Sequence, residues 1–364
     1  MRHFNQSQRS GCSLRPRRMA GLSLIELMIA LALGLLILTG LVTVFVNSSA
    51  ARNEVERTSR QIENGRFAIE ILSDDLRLAG FYDGLSLVAS SLGITEPTTL
   101  PDPCFVPTNR EQWLQPLFFH VQGYSGSNGA SCILASHNYK SGTDVLVARR
   151  VATCAAGSTG CDTVSEAPYL QVSRCASQIP VANTYVKVGL EGTETFDLKL
   201  LGATATTCSA TNAAVRQYFV NIYFVSTTNG INGSGDPIPT LKRLEFTGAG
   251  WTETALVEGI EHLKIEYGMD TTGGDGLPDV YASNPSEYPD TSCDDACKVN
   301  NWKNVMTARF YVLARNIEAS PGFTDTKTYQ LGSVSVAAAN DGYRRHVYRS
   351  LVRIANPAGL RDAP

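Results

Sequence analysis

Within the stretch GLSLIELMIALALGLLILTGLVTVFV, Gly21 to Val46, Glu26 is the only charged residue. A carboxylate in a segment fit for lipid is expensive unless it is paired, so its type and place suggest an ion pair with an ammonium group. Such a pair gains strength as the dielectric constant falls. The alternative places Glu26 in the first turn of a helix, where a carboxylate favours the helix dipole at headgroup level. That alternative accounts for tolerance of the charge, but not for the Gly21-Leu22 pair just before it.

Other groupings point to less. Asp270, Asp275 and Asp279 invite comparison with calcium sites, which need clustered oxygen ligands. Setting Asp275-Gly276 on the fifth and sixth positions of an EF-hand loop puts Thr271 and Gly273 on the first and third and Ala282 on the twelfth, so the match fails. A polar hairpin turn, with Gly273, Gly274 and Gly276 supplying positive φ, fits better. The sequence shows no nucleophile beside a base, no metal-ligating histidine pair and no phosphate-cradling glycine loop. His3, His120, His137, His262 and His346 are scattered, and Gly80 to Gly84 is a turn. The expectation is a protein that is not an enzyme, with no catalytic residues, metal or cofactor.

Of the nine cysteines, Cys12 lies in a basic leader, leaving Cys104, Cys132, Cys154, Cys161, Cys175, Cys208, Cys293 and Cys297. They sit in Gly/Ser/Asp-rich sequence without nearby histidines, unlike usual zinc patterns. Disulfides formed in an oxidising compartment are the expectation. Eight cysteines allow about 105 connectivities, so the pairing stays open.

The element that must position Glu26 is a helix. Leu22 to Val46 would be roughly 37 Å long as a helix, enough to cross a hydrocarbon core of about 30 Å. Arg2, Arg9, Arg15, Arg17 and Arg18 precede it, so the positive-inside rule puts residues 1–21 in the cytoplasm and the chain after Val46 outside. A cleaved secretory signal, with Ser48-Ser49-Ala50 as its cut site, is disfavoured because the apolar run exceeds the usual 7–15 residues. Taking the five leader arginines from the net charge of −3 leaves −8 on the remainder, which gives no footprint for nucleic acid. At 43% hydrophobic and 18% charged, that remainder can bury a core.

Beyond Asn47, residues Val55, Thr58, Ile62, Gly65, Ile69, Leu72, Leu76 and Ala79 recur every three or four positions. They predict an amphipathic continuation of the helix, stopped near Gly80, rather than a bare coiled coil, for whose core Thr58, Gly65 and Ala79 are poor. Strands are expected at Asp144–Arg150, Gln217–Val225, Leu241–Phe246, around Met306–Arg315 and at Tyr343–Ile354. The last carries Arg344, Arg345, Arg349 and Arg353, read as a solvated basic face that blunts a sheet edge. Residues 85–143 and 152–212 read as long loop-rich insertions stapled by six of the cysteines. The fold class expected is α+β: a long N-terminal transmembrane helix packed on an antiparallel sheet head with disulfide-stapled insertions.

The basic leader, Gly21, then Leu22-Ser23-Leu24-Ile25-Glu26 and a long apolar helix resemble the type IV prepilin signature. Members of that family are cut after the glycine by a prepilin peptidase, the new N-terminal residue is methylated, and the glutamate fifth in the mature chain is thought to pair with a neighbouring subunit's amine. Leu22 stands here where phenylalanine is commonest. The stretch QIENGRFAIEILSDDLRLAGFYDG, Gln61 to Gly84, is similar to PilW-type minor pilins, where E-N-G-R-F-A leads into an acidic turn and D-L-R-x-A-G. Those relatives often reach a cysteine soon afterwards, and this chain does not. LVEGIEHLKIEYGMDTTGGDGLPDVYAS, Leu256 to Ser283, resembles the same group, with V-E-G-[IV]-E, a strand and an Asp/Gly-rich turn.

The resemblance implies cleavage after Gly21, methylation of Leu22 and subunit docking by Glu26. It implies four regions: a leader (1–21), a transmembrane and filament-core helix half (22–46), an amphipathic half (47–80) and a periplasmic β-rich head of pilin type (81–364). The implied role is a low-copy minor pilin, near the pilus tip, in initiating a type IV pilus, with consequences for twitching motility, adhesion or DNA uptake. Its implied partners are other minor pilins, the major pilin, the prepilin peptidase and the inner-membrane assembly platform. Two alternatives share the N-terminus: a minor pseudopilin of a type II secretion system, and a tip adhesin whose loop insertions bind a surface or sugar.

Overall fold

The computed structural model describes residues 21, 23–85, 87, 92–161, 163, 166–175, 177–179, 185–204, 207–248 and 250–361. Leu22 and the leader with Cys12 lie outside the described residues. The chain divides into two compact units, Met1–Val55 and Glu56–Pro364.

Helix α1 (Leu24–Leu78) begins in the first unit and continues into the second. Its residues from Leu24 to Val46 are mostly Leu, Ile, Ala, Val and Gly, contain no proline and are exposed throughout, apolar on every side. A helix that is apolar all round needs a lipid or protein environment, not water. The hydroxyls of Thr39 and Thr43 donate to the Leu35 and Thr39 carbonyls (2.8 and 2.9 Å), which satisfies them within the helix.

In the second unit, elements follow in chain order: α2 (Arg110–Leu114), β1 (Val121–Tyr124), β2 (Val145–Val151), β3 (Pro168–Val172), β4 (Val186–Leu190), β5 (Lys199–Leu201), β6 (Cys208–Asn212), β7 (Val215–Ser226), β8 (Thr240–Phe246), β9 (Trp251–Glu258), β10 (Ile260–Met269) and β11 (Val280–Ala282). Then come α3 (Asp295–Lys303), β12 (Val305–Arg315), β13 (Tyr329–Leu331), β14 (Val334–Val336), β15 (Arg345–Arg353) and α4 (Ala355–Arg361). A seven-stranded sheet runs β1-β2-β7-β3-β4, with β8 on β7 and β9 on β8; a second sheet runs β11-β10-β12-β15. The strand pairs in both are antiparallel.

The sequence suggests one sheet; the structure has two main ones, joined where β2 begins. Asp144, buried just before β2, accepts from Lys264 Nζ (2.7 Å), Ile265 N (2.8 Å) and Gly126 N (2.7 Å). Burial raises its pKa while the Lys264 hydrogen bond opposes the rise. One core runs through the unit: Ala68, Leu72 and Leu76 of α1 are fully buried in the same apolar cluster as Leu146, Ile222, Phe224, Ile265 and Phe310.

Two further expectations are corrected. The predicted face of α1 holds from Gly65 on, with Gly65, Leu72, Leu76 and Ala79 buried, but before it Val55 and Ile62 are exposed, and Gln61 takes the buried place because its amide bridges the Ala314 and Arg344 carbonyls (2.8 and 2.9 Å). The stretches 85–143 and 152–212 are not merely insertions, since β1, β3 and β4 belong to the seven-stranded sheet; strands of four or five residues carry too little periodicity to stand out.

Candidate functional site

At the start of α1, Glu26 lies in the first helical turn, and its amide and that of Leu27 both donate to the Ser23 carbonyl (3.0 Å each). Its carboxylate is exposed and meets no hydrogen-bonding or ionic partner among the described residues. A free carboxylate at the head of an all-apolar helix is where an ammonium from outside the chain would be stabilised most. Gly21, also exposed, has nothing within 4 Å of where a Cβ would stand.

The second arrangement holds the later half of α1 to the sheets, all within the second unit. Asn64 Nδ2 donates to the Glu258 carbonyl (3.0 Å). A Cβ on Gly65 would come within 2.1 Å of Tyr348 Cε2, so glycine admits the β15 ring against the helix. Asp75, buried, accepts from Arg150 Nε (2.5 Å), Asn221 Nδ2 (3.0 Å) and the Tyr223 hydroxyl (2.9 Å). The helix ends at Ala79-Gly80, where Gly80 takes φ +75° and Asn356 Nδ2 faces the carbonyls of Arg77, Leu78 and Ala79 at 3.4, 3.3 and 3.2 Å. Gly80 N then donates to the Arg149 carbonyl (2.9 Å), tying the chain to β2.

These contacts give the sequence patches a physical meaning. Gln61, Asn64, Gly65, Ala68, Leu72, Asp75 and Leu76 are among the positions of the first patch that face the sheets, and Glu258 of the second patch receives Asn64. Gly259 has φ +76°, and a Cβ there would come within 2.7 Å of the Arg315 carbonyl, so the bend from β9 into β10 needs glycine. Two patches far apart in the sequence thus build one joint between helix and sheet.

The aspartates of the Gly-rich turn serve the turn itself. Asp270 accepts from Gly274 N (3.2 Å), Gly276 N (2.9 Å) and Arg361 Nη1 (2.9 Å). Asp279 accepts from Thr272 N (2.7 Å) and Thr271 N (2.8 Å), and these bonds, Thr272 first, hold its pKa below the usual range. Gly273, Gly274 and Gly276 have positive φ. No group of three or more metal-ligating side chains gathers among the described residues.

The basic C-terminal strand is corrected in one respect: Arg345 is not on a solvated face. Its side chain is buried and bonded to Glu261 (2.5 Å), Asp325 (3.0 Å) and Asp341 (2.6 Å), while Arg349 and Arg353 are exposed. Sequence reasoning also missed the Asp75–Arg150 and Asp144–Lys264 pairs, for which proximity in sequence offers no signal. His120 is buried and His262 partly so; burial, chiefly, lowers each to a pKa of about 4. His120 Nε2 faces the Val305 carbonyl at 2.6 Å as a donor.

Among the described residues four disulfides occur: Cys104–Cys132, Cys154–Cys161, Cys175–Cys208 and Cys293–Cys297. None links the parts of the chain carrying the two patches.

Two family models match. The model described as type IV pilus-assembly protein W covers residues 222–356, and the prokaryotic N-terminal methylation motif covers residues 16–42. The first range runs from mid-β7 to Asn356, and so contains Glu258, Ala314, Arg344, Tyr348 and Asn356 among the residues that receive α1, while Arg150 and Asn221, which hold Asp75, lie before it. Comparisons with curated proteins and with solved structures found no match.

Proposed function

Starting from a chain that is a type IV prepilin-like protein of the PilW type, and so a membrane-anchored minor pilin of pilus assembly, we propose how it works. It is made as an inner-membrane precursor with its leader in the cytoplasm and its head in the periplasm. The prepilin peptidase cuts after Gly21, Leu22 is methylated, and Glu26 docks on the amine of a neighbouring pilin. The protein enters the filament at low copy, near the tip, and helps to initiate the pilus. Its role is structural, not enzymatic.

The observation that carries this reading is Glu26 itself: an exposed carboxylate without a partner among the described residues, in the first turn of an apolar helix and five residues after Gly21. Inside the membrane that charge is tolerable in a subunit that meets an ammonium on assembly. The docked joint at Gln61, Asn64, Gly65 and Asp75 supports the rest, because it makes the later half of α1 part of the head's core.

Deleting the gene and restoring it as wild type or as Glu26→Leu tests the proposal. Pili are expected to be lost on deletion, recovered with the wild type and not with the variant, although the variant accumulates as a folded membrane protein. Intact piliation with lost exoprotein secretion would replace the proposal with the pseudopilin alternative. Piliation fully restored by Glu26→Leu would remove the docking role.

A further inference from the structure

The Cys104–Cys132 loop and the seven-stranded sheet bound a cavity of about 280 Å³ that none of the preceding interactions uses. Its wall is a run of rings: Tyr218 against Trp113 (centroids 6.4 Å), Trp113 against Phe246 (6.1 Å) and Phe246 against Trp251 (5.4 Å). Pro101 and Pro103 close it from the loop side.

Two polar groups in this wall are poorly provided for. Arg149, on β2, is 1% exposed; Nη1 donates to the Phe119 carbonyl (2.8 Å) and Nη2 to Gln122 Oε1 (3.0 Å). Both acceptors are neutral, and among the described residues no carboxylate stands within ion-pair distance of this guanidinium. The Tyr218 hydroxyl, also in the lining, is buried without a hydrogen-bond partner among the described residues. The acid in the wall, Asp102, is occupied: Oδ1 accepts from Cys104 N and Oδ2 from Ser131 Oγ, both at 2.9 Å.

A buried charge without a counterion is costly, and so is a buried hydroxyl without a partner. Native folds seldom keep both side by side for packing alone. A guanidinium presents parallel donors that match a carboxylate. Arg149 is the one cation among the described residues that line the cavity, and Asp102 opposes further negative charge, so the electrostatics suit a monoanion rather than a phosphate. The volume is at the low end for ligand pockets, about 300 Å³ upward, and the aromatic wall suits a flat apolar body.

We propose that this cavity binds a small carboxylic acid with a planar apolar body, its carboxylate on the Arg149 guanidinium and the Tyr218 hydroxyl, its body against Trp113, Phe246 and Trp251. The cavity would make the head a receptor for an aromatic acid in the surrounding medium. This assignment is independent of the role of the N-terminal segment.

The test uses the full-length protein in lipid nanodiscs, with empty nanodiscs as the blank, titrated calorimetrically with 3-phenylpropionate and with its neutral counterpart 3-phenylpropionamide. The acid is expected to bind at least tenfold more tightly than the amide, equivalent to about 1.4 kcal/mol. Arg149→Met, which removes an uncompensated charge, is expected to keep the fold and abolish that preference. Trp251→Ala, at a half-buried ring, is expected to weaken both ligands and leave the preference. If the acid fails to saturate, if acid and amide bind alike, or if Arg149→Met retains the preference, the proposal is overturned. Should Arg149→Met not fold, unchanged acid binding by Trp251→Ala overturns it equally.

Discussion

Asp74 and Asp75 are adjacent in sequence and identical in chemistry, and the structure predicts opposite consequences for replacing them. Asp74 pairs with Arg77 at 3.0 Å, with both side chains more than half exposed. Exposed pairs of this kind contribute little, so Asp74→Ala is expected to change stability by less than about 0.5 kcal/mol. The Asp75 side chain is 6% exposed and that of Arg150 18%. Removing one partner of a buried pair costs about 3–5 kcal/mol. The guanidinium also stacks over Phe219 at 4.7 Å and reaches some water, which lowers the share due to the stranded charge. Against that, the Asn221 amide and the Tyr223 hydroxyl would be stranded as buried donors, each at roughly 1–3 kcal/mol. The contributions are coupled and do not add, so Asp75→Ala is expected to lose about 3–5 kcal/mol. Urea unfolding followed by the fluorescence of buried Trp113 and Trp302 reads this loss. The midpoint for Asp75→Ala should fall by more than about 1 M, with Asp74→Ala unmoved. Equal midpoints for the two variants would refute the claim that Asp75 fixes helix α1 to β2 and β7.

The remaining predictions concern pH and the disulfides. His120 has a folded pKa depressed by burial to about 4, against roughly 6.5 unfolded, so its contribution is complete above pH 6.5 and is lost as pH falls from there towards 4. At pH 5 the loss from this residue alone is about 2 kcal/mol, and His120→Gln, which keeps a donor for Val305 but does not titrate, should flatten that part of the stability profile. Glu261 and Asp341 act in the same direction at lower pH. Despite burial, Arg345 and Lys140 hold Glu261 below its usual value, and the Arg345 hydrogen bond does so for Asp341, so their stabilisation is present above the ordinary carboxylate range and disappears on acidification. Replacing Cys104 and Cys132 by serine opens a loop with sequence separation 28 and should cost about 3–4 kcal/mol, against about 2 for Cys293 and Cys297 with separation 4. Denaturation of the two double variants measures the difference; equal losses would show that loop closure is not the governing term.

The N-terminal element was legible because its signal is local. An apolar run whose one charge is a carboxylate near its head, with a glycine before it, needs no tertiary information. The long strands were legible for a similar reason: β7, β8 and β12 are 12, 7 and 11 residues long and rich in β-branched and aromatic side chains. The short strands β1, β3 and β4 were hidden by their length. Periodicity located α1 but put Ile62 where Gln61 lies, because an amide that reaches two carbonyls is as well accommodated inside as a hydrocarbon. Arg345 was assigned to solvent because two of its acids, Glu261 and Asp325, come from segments that only folding brings to it, and Asp341, four residues before it, does not by itself signal burial. The same non-locality hid the cavity at Arg149, whose walls come from the 99–107 loop, α2 and four strands.

The central claim is that Glu26 serves assembly in a mature chain beginning at Leu22. Its most direct test is the intact mass and N-terminal sequence of the protein purified from membranes, with and without the prepilin peptidase. A chain beginning at methylated Leu22, replaced by the uncut precursor when the peptidase is absent, is the predicted result. A chain beginning at Ala51, or an uncut Met1 in the presence of the peptidase, would contradict it.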